Sequence, residues 1–285
     1  MNRRALLGLP LLLAGCSGAD LLNDTVPGGG VTLTHDAYAP GPRGGVDIYR
    51  PNDVGFGGAG PGLPLVVFIY GGGWRSGAKE MYGFVGTPLA RRGAVVLIPD
   101  YRLFPEVAFP TFLEDNAAAV AWAVARAPSL GADPARIFLV GHSAGAYNVA
   151  MLTLDPRWLA AAGTTRDRLD GAVGLAGPYD FLPITDGDVI PVFAPGNDGP
   201  VTQPVTYVDG RNPSMLLIAG TDDTTVNPRN TTALADRIRA AAGPVQSRFY
   251  NGIGHIGLVT AFAPVFQGRA PVLNDVAAFI GARQT

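Results

Sequence analysis

The sequence predicts an α/β protein built on one mostly parallel, doubly wound sheet with helices on both faces. Three observations carry this. Short, almost purely apolar runs at residues 63–70, 94–98, 137–140, 171–177 and 214–219 have the length and composition of strands buried on both faces. Segments of helical character lie between them, which is the alternation of a parallel sheet with crossover helices. The chain of 285 residues, 47% hydrophobic and only 15% charged, is long enough for one large core and too apolar for disorder.

Taken in order, residues 1–16 read MNRRALLGLPLLLAGC: two arginines, then an apolar run too short to span a bilayer as a helix. This is the anatomy of a secretory signal peptide, expected over residues 1–15. Leu13-Ala14-Gly15-Cys16 resembles the lipobox of bacterial lipoproteins, and Cys16 is the sole cysteine. Cys16 is therefore the expected site of lipidation, with the mature protein held at a membrane surface in the cell envelope; a soluble secreted or periplasmic form is the alternative. The two arginines also resemble a twin-arginine export signal. Residues 16–30, small, polar and ending in three glycines, are expected to form a flexible lipid-anchored tether, and residues 31–285 the folded domain.

Residues 31–34 and 46–49 alternate around a Pro/Gly-rich turn and predict an antiparallel pair at the sheet edge. Residues 51–62 read as an exposed loop. The strand at 63–70 ends in Gly71-Gly72-Gly73-Trp74. Neither a dinucleotide fingerprint nor a phosphate-loop lysine is present, so the glycines read better as a loop presenting bare N–H groups to an oxyanion. A helix over 79–91, a strand over 94–98 and an alanine-rich helix over 112–126 lead to the strand at 137–140. It runs into Gly141-His142-Ser143-Ala144-Gly145 and a helix over 144–154, the strand–turn–helix context of a nucleophile elbow. Residues 182–213 lose all periodicity, and a loop of that length inside a domain reads as a small lid. A strand at 214–219, a helix over 231–242, a strand over 246–251 and a last helix over 272–280 complete the chain.

Charge narrows the partners. A net charge of −2 and a single lysine, Lys79, exclude a dedicated nucleic-acid surface. One cysteine allows neither an intrachain disulfide nor a thiolate metal cluster, and the three histidines fit no zinc spacing, so no metal or other cofactor is expected.

A serine hydroxyl needs a base to take its proton and an acid to orient that base. Behind an elbow of this kind both follow the serine in the chain. His255 is the only histidine after Ser143; His142, adjacent to the serine on a tight turn, points elsewhere and is expected to pack or to meet solvent. The acid must be an aspartate, because Glu80, Glu106 and Glu114 all precede Ser143. Asp222 and Asp223 stand at the end of a buried strand, and Asp180 is the outside candidate. Backbone N–H groups of Gly72, Gly73 and Ala144 are the expected oxyanion donors.

Tyr70-Gly71-Gly72-Gly73-Trp74, Asp100-Tyr101-Arg102, Gly141-His142-Ser143-Ala144-Gly145, Gly220-x-x-Asp223-x-x-Val226 and Gly254-His255 occur in the order seen in α/β-hydrolase carboxylesterases. Over about residues 47–279 the chain resembles the hormone-sensitive-lipase-like and formamidase-like esterases, including the isoprenylcysteine methylesterase type. The resemblance implies the α/β-hydrolase fold with a small lid. Its spacing selects Asp223 over Asp222 as the acid, and it implies a serine carboxylesterase acting on small or aromatic esters through an acyl-enzyme. By analogy Trp74, Tyr101, Tyr179 and Phe181 line the substrate pocket. Two positions depart from the pattern: Tyr70 stands where the family commonly has His, and His142 where many lipase-like members have Asp. Two other readings use the same residues, an aryl formamidase, amide hydrolase or peptidase with the same triad, and a non-catalytic envelope lipoprotein that binds through the hydrolase fold. The complete Ser-Asp-His set argues against the last.

Overall fold

The computed structural model describes residues 16–52, 62–193 and 199–281; the expected signal peptide lies outside them. In chain order the elements are α1 (Cys16–Asp24), β1 (Val31–Ala37), β2 (Gly45–Pro51), β3 (Leu63–Ile69), α2 (Gly83–Arg91), β4 (Val95–Pro99), α3 (Thr111–Arg126), β5 (Ala132–His142), α4 (Ala144–Leu154), α5 (Pro156–Ala161), β6 (Gly171–Leu175), α6 (Ile190–Phe193), β7 (Ser214–Gly220), α7 (Arg229–Ala240), β8 (Val245–Tyr250), α8 (His255–Thr260) and α9 (Val272–Gly281).

The eight strands form one sheet in the order β1-β2-β4-β3-β5-β6-β7-β8. Strands β3 to β8 pair in parallel, while β1 with β2 and β2 with β4 are antiparallel. This is the α/β-hydrolase fold. Every residue of β4 and β6, and all but the first of β3 and β7, is buried, so the continuous apolar runs needed helices over both faces. Helices α2 and α9 touch one another, and α3, α4 and α5 form a second packed group. The predicted edge pair exists, but only β1 is the edge; β2 lies inside and pairs with β4. At the other edge β8 has no buried residue, its positions being half-buried or exposed.

The parallel register aligns the carboxyl ends of the strands. Ile69 pairs with Gly141, His142 with Leu175, and Gly220 with Tyr250. Loops 70–77, 176–181, 221–228 and 251–254 and the β5–α4 turn therefore leave the sheet along one edge, where open α/β sheets gather their ligands.

Two stretches differ from expectation. Residues 16–30 are no loose tether. α1 buries Ala19 and Leu22, three residues apart on one helix face, and the Arg91 guanidinium donates to the Pro27 and Gly29 carbonyls. Residues 182–213 are only partly a lid. Their first part lines the cleft described below, whereas Thr202, Gln203 and Pro204 are buried and stitched into the body. Tyr147 Oη donates to Thr202 O at 2.7 Å, and Phe181 N to Gln203 Oε1 at 2.7 Å. In addition, Phe109 N donates to Val192 O at 2.8 Å.

Candidate active site

The β5–α4 turn places Ser143 at φ 56°, ψ −123°, a sparsely populated positive-φ backbone that costs a non-glycine residue on the order of 1–3 kcal/mol. Two glycines make the turn possible by close approach. A Cβ on Gly141 would sit 2.4 Å from Gly145 O, and one on Gly145 would sit 2.0 Å from Ile69 O. α4 thus starts directly against β3 and β5, and it is buried along its whole length. The Ser143 N–H donates to Leu175 O at 2.8 Å, which fixes the serine backbone to β6.

His255, the first residue of α8, brings Nε2 to 2.8 Å from Ser143 Oγ, and its Nδ1 lies 2.8 Å from Asp223 Oδ2. Asp223 sits in the β7–α7 loop, and its Oδ1 accepts from the N–H groups of Thr225 (2.9 Å) and Val226 (2.8 Å). Burial alone would raise the Asp223 carboxyl; the His255 hydrogen bond and these two N–H groups outweigh it and hold the group below the ordinary carboxylate range. With the carboxylate accepting at Nδ1, His255 carries its proton there and turns a bare Nε2 to the serine hydroxyl. Asp222 is exposed, and its side chain accepts from Thr221 Oγ1; the carboxylate on His255 is Asp223's, not that of Asp222 or Asp180.

His142 packs rather than meeting solvent. It is buried, its ring centroid lies 4.8 Å from that of His255, and Nε2–H donates to the His255 carbonyl at 3.1 Å. Burial, reinforced by repulsion from His255, lowers its pKa to about 3, so it is neutral near pH 7.

The glycine loop after β3 folds back through three consecutive positive φ angles, Gly72 (122°), Gly73 (61°) and Trp74 (59°). The N–H groups of Arg75 and Ser76 close it on Gly72 O at 3.0 and 3.1 Å. Trp74 is pinned from behind: Nε1–H donates to Asn148 Oδ1 of α4 at 3.0 Å, and the ring packs against Tyr147 and Phe193. Tyr70 ties the start of this loop to the residue after β4. Its hydroxyl donates to Asp100 Oδ1 at 2.7 Å, while Arg43 Nη1 donates to Gly77 O at 2.7 Å.

Ser143, His255, Gly72, Gly73 and Ala144 open together onto one cleft of about 900 Å3. Of the four aromatic residues expected around it, Trp74 and Phe181 line the cleft and Tyr101 and Tyr179 do not. Tyr101 is fully buried, stacks on Tyr70 and donates its hydroxyl to Tyr70 O at 2.9 Å, so it supports the glycine loop from below. Tyr179 lies over Gly174 and Gly177, where a Cβ would meet its ring or hydroxyl at 2.0–2.4 Å, and its N–H donates to Asn230 Oδ1. Both side chains belong to the core. Among the described residues no cluster of histidine, cysteine, aspartate and glutamate is placed to hold a metal ion.

Sequence reasoning missed Asn148 and Asn230, buried amides that hold Trp74 and the segment after β6. It also missed Leu22 of α1, which lines the cleft. An asparagine inside an apolar helix was the one signal available for Asn148.

A serine hydrogen-bonded to a histidine that is hydrogen-bonded to a buried carboxylate, at the carboxyl edge of this sheet, defines the site type of the α/β-hydrolases. Within them the chain belongs to the BD-FAE family, whose model matches residues 46–189. It is 28% identical over 267 residues to a probable isoprenylcysteine alpha-carbonyl methylesterase of Oryza sativa subsp. japonica, covering 85% of this chain and 61% of that protein. It is also 28% identical over 229 residues to Esterase LipC of Mycobacterium tuberculosis, covering 72% of this chain and 54% of that protein. The chain thus spans about three fifths or less of the length of these curated relatives. The solved structure of an esterase from Pyrobaculum calidifontis superposes with a TM-score of 0.73 at 24% identity, over 93% of this chain and 90% of that one, which shows the shared fold.

Proposed function

We propose that the protein is a serine carboxylesterase that hydrolyses small or aromatic carboxylic esters through an acyl-enzyme. The observation that carries this is the unbroken relay Ser143 Oγ, His255 Nε2, His255 Nδ1, Asp223 Oδ2, with 2.8 Å at both hydrogen bonds, of which Ser143 and His255 line the cleft. Names of relatives, two of them esterases, support the same reading.

The steps follow from the geometry. Ser143 Oγ attacks the ester carbonyl carbon while its proton passes to His255 Nε2, and the imidazolium is held by Asp223. The carbonyl oxygen, now an oxyanion, takes backbone N–H groups of Gly72, Gly73 and Ala144; one such donor is worth about 2.7–4 kcal/mol at the transition state. Collapse expels the alcohol, which leaves with the proton from Nε2. Water then repeats the sequence on the acyl-enzyme, giving its proton to His255 and releasing the acid and free Ser143.

The test is hydrolysis of p-nitrophenyl esters from acetate to dodecanoate beside Ser143→Ala, Asp223→Asn and Asp222→Asn. Loss of turnover in Ser143→Ala, a fall of about 10^4 in kcat in Asp223→Asn and a near-unchanged Asp222→Asn are expected. No activity on any ester from folded protein, or a larger loss at Asp222 than at Asp223, overturns the assignment.

For location, the lipobox-like Leu13-Ala14-Gly15-Cys16 supports a lipid anchor on Cys16 and attachment to a membrane of the cell envelope. No helix of the described residues is long and apolar enough to cross a membrane. Metabolic labelling with a lipid precursor is expected to mark the wild type and not Cys16→Ser; an unlabelled wild type ends this proposal.

A further inference from the structure

Helix α1 contributes nothing to the relay, yet it forms part of the cleft wall. Ala19 and Leu22, 7% and 8% exposed, line the same cleft as Ser143 and lie with Met81, Tyr82 and Phe84. Leu21, on another face of the helix, is 62% exposed, so one rotational setting of α1 is fixed. The Asn23 side chain fastens it. Asn23 Nδ2–H donates to Glu80 O at 2.9 Å, and Asn23 Oδ1 accepts from Phe84 N at 2.8 Å. Phe84 lies in the first turn of α2, where the preceding Tyr82 gives no side-chain cap. Asn23 therefore caps α2 from another element, and the two helices are locked at the position that sets Leu22 in the cleft.

The chemistry of this wall is uniform. Ala19, Leu22, Met81, Tyr82 and Phe84 bring no charged side chain, and burial pushes the Tyr82 phenol up to about 12, so it stays neutral. The charged residues of the cleft, Arg75, Asp186, Asp188 and Arg229, come from other segments.

We propose that α1 is a specificity wall and that Leu22 sets how far an alkyl or aryl group of the substrate extends along Met81, Tyr82 and Phe84. The inference rests on the esterase reading of Ser143, and it adds the residue that sizes the apolar group. Because Leu22 makes no contact with the relay in this account, changing it alters which esters are turned over, not the chemistry.

The experiment compares kcat/KM on two ester series, one lengthening the acyl group and one the alcohol, for the wild type, Leu22→Ala, Leu22→Trp, Leu22→Met and Asn23→Ala, with melting curves for each. In the series whose varied group lies against α1, Leu22→Ala is expected to raise the long-to-short ratio about tenfold and Leu22→Trp to lower it by a similar factor. Leu22→Met, of similar volume, keeps the wild-type ratio, and Asn23→Ala shifts it in the direction of Leu22→Ala. A destabilised fold lowers all rates together and leaves ratios alone; if Leu22→Ala does not fold, the Leu22→Trp arm decides. An active wild type whose ratios are unmoved by Leu22→Trp in both series overturns this inference alone. A wild type inactive on every ester overturns the esterase reading, and this inference with it.

Discussion

Two residues at the site, Asp223 and His142, have pKa values held low by the fold, so acidification removes stability through both, in different pH windows. Asp223 is held low by its partners, so its contribution to stability is complete above the unfolded carboxylate value near 3.9 and is lost as pH falls through its still lower folded value. His142 acts over a different window. It is neutral in the fold down to about pH 3, whereas an unfolded histidine takes up a proton near 6.5. Between those values the unfolded chain binds more protons, so stability rises with pH there and falls on acidification by about 1.4 kcal/mol per pH unit from this one group. Gln at 142 keeps a donor for the His255 carbonyl and has nothing to titrate. Urea unfolding between pH 7 and pH 4.5 is therefore expected to give a shallower acid loss in His142→Gln than in the wild type; parallel slopes would refute the account. The same burial explains why His142 cannot compete with His255 as the base.

At the scale of elements, the glycine loop depends on glycine in two different ways. At Gly72 both space and dihedral forbid a side chain, since a Cβ would sit 2.1 Å from Ser76 O at φ 122°. At Gly73 the space is open and only φ 61° objects, a cost of about 1–2 kcal/mol. Gly72→Ala is expected to displace the loop and lower kcat on a soluble ester by about 10^2 to 10^3, the range for losing an oxyanion donor, with KM changed only a few-fold. Gly73→Ala should fall well short of that loss. Equal losses at the two positions would mean that backbone strain, not the close approach to Ser76, governs the loop.

Over the whole molecule, the cover above the cleft is part of the body. Thr202, Gln203 and Val192 hold it through Tyr147, Phe181 and Phe109. Opening it would break those bonds and expose Phe193, which is fully buried among Phe109, Phe112, Trp74 and Tyr147. The rate on a short triglyceride is accordingly expected to rise smoothly through the solubility limit of the substrate; a jump at that limit would show a flap that opens on an interface. How much of this was readable in the chain varied with the physics involved. The five apolar runs each became a strand of the parallel sheet, because burial on both faces leaves an unbroken signal. Gly141-His142-Ser143-Ala144-Gly145 pointed to the turn, because steric exclusion at Gly141 and Gly145 is itself a sequence pattern. Tyr101 and Tyr179 were misplaced because an aromatic residue after a strand reads the same whether it faces a cavity or props a loop from beneath. The α1 helix was invisible for another reason: in CSGADLLND its apolar residues are too few to signal burial, and its place is set by Asn23 reaching residues 57 and 61 positions away.

The docking of α1 also bears on where the folded unit can be cut. Judged by the sheet, the domain begins at Val31, and trimming there would remove no strand. Such a shortened protein would keep Ser143, His255 and Asp223 in place but lose the wall at Leu22 and the side chain that closes the first turn of α2. Its hydrolysis would report the nucleophile faithfully and the substrate preference wrongly.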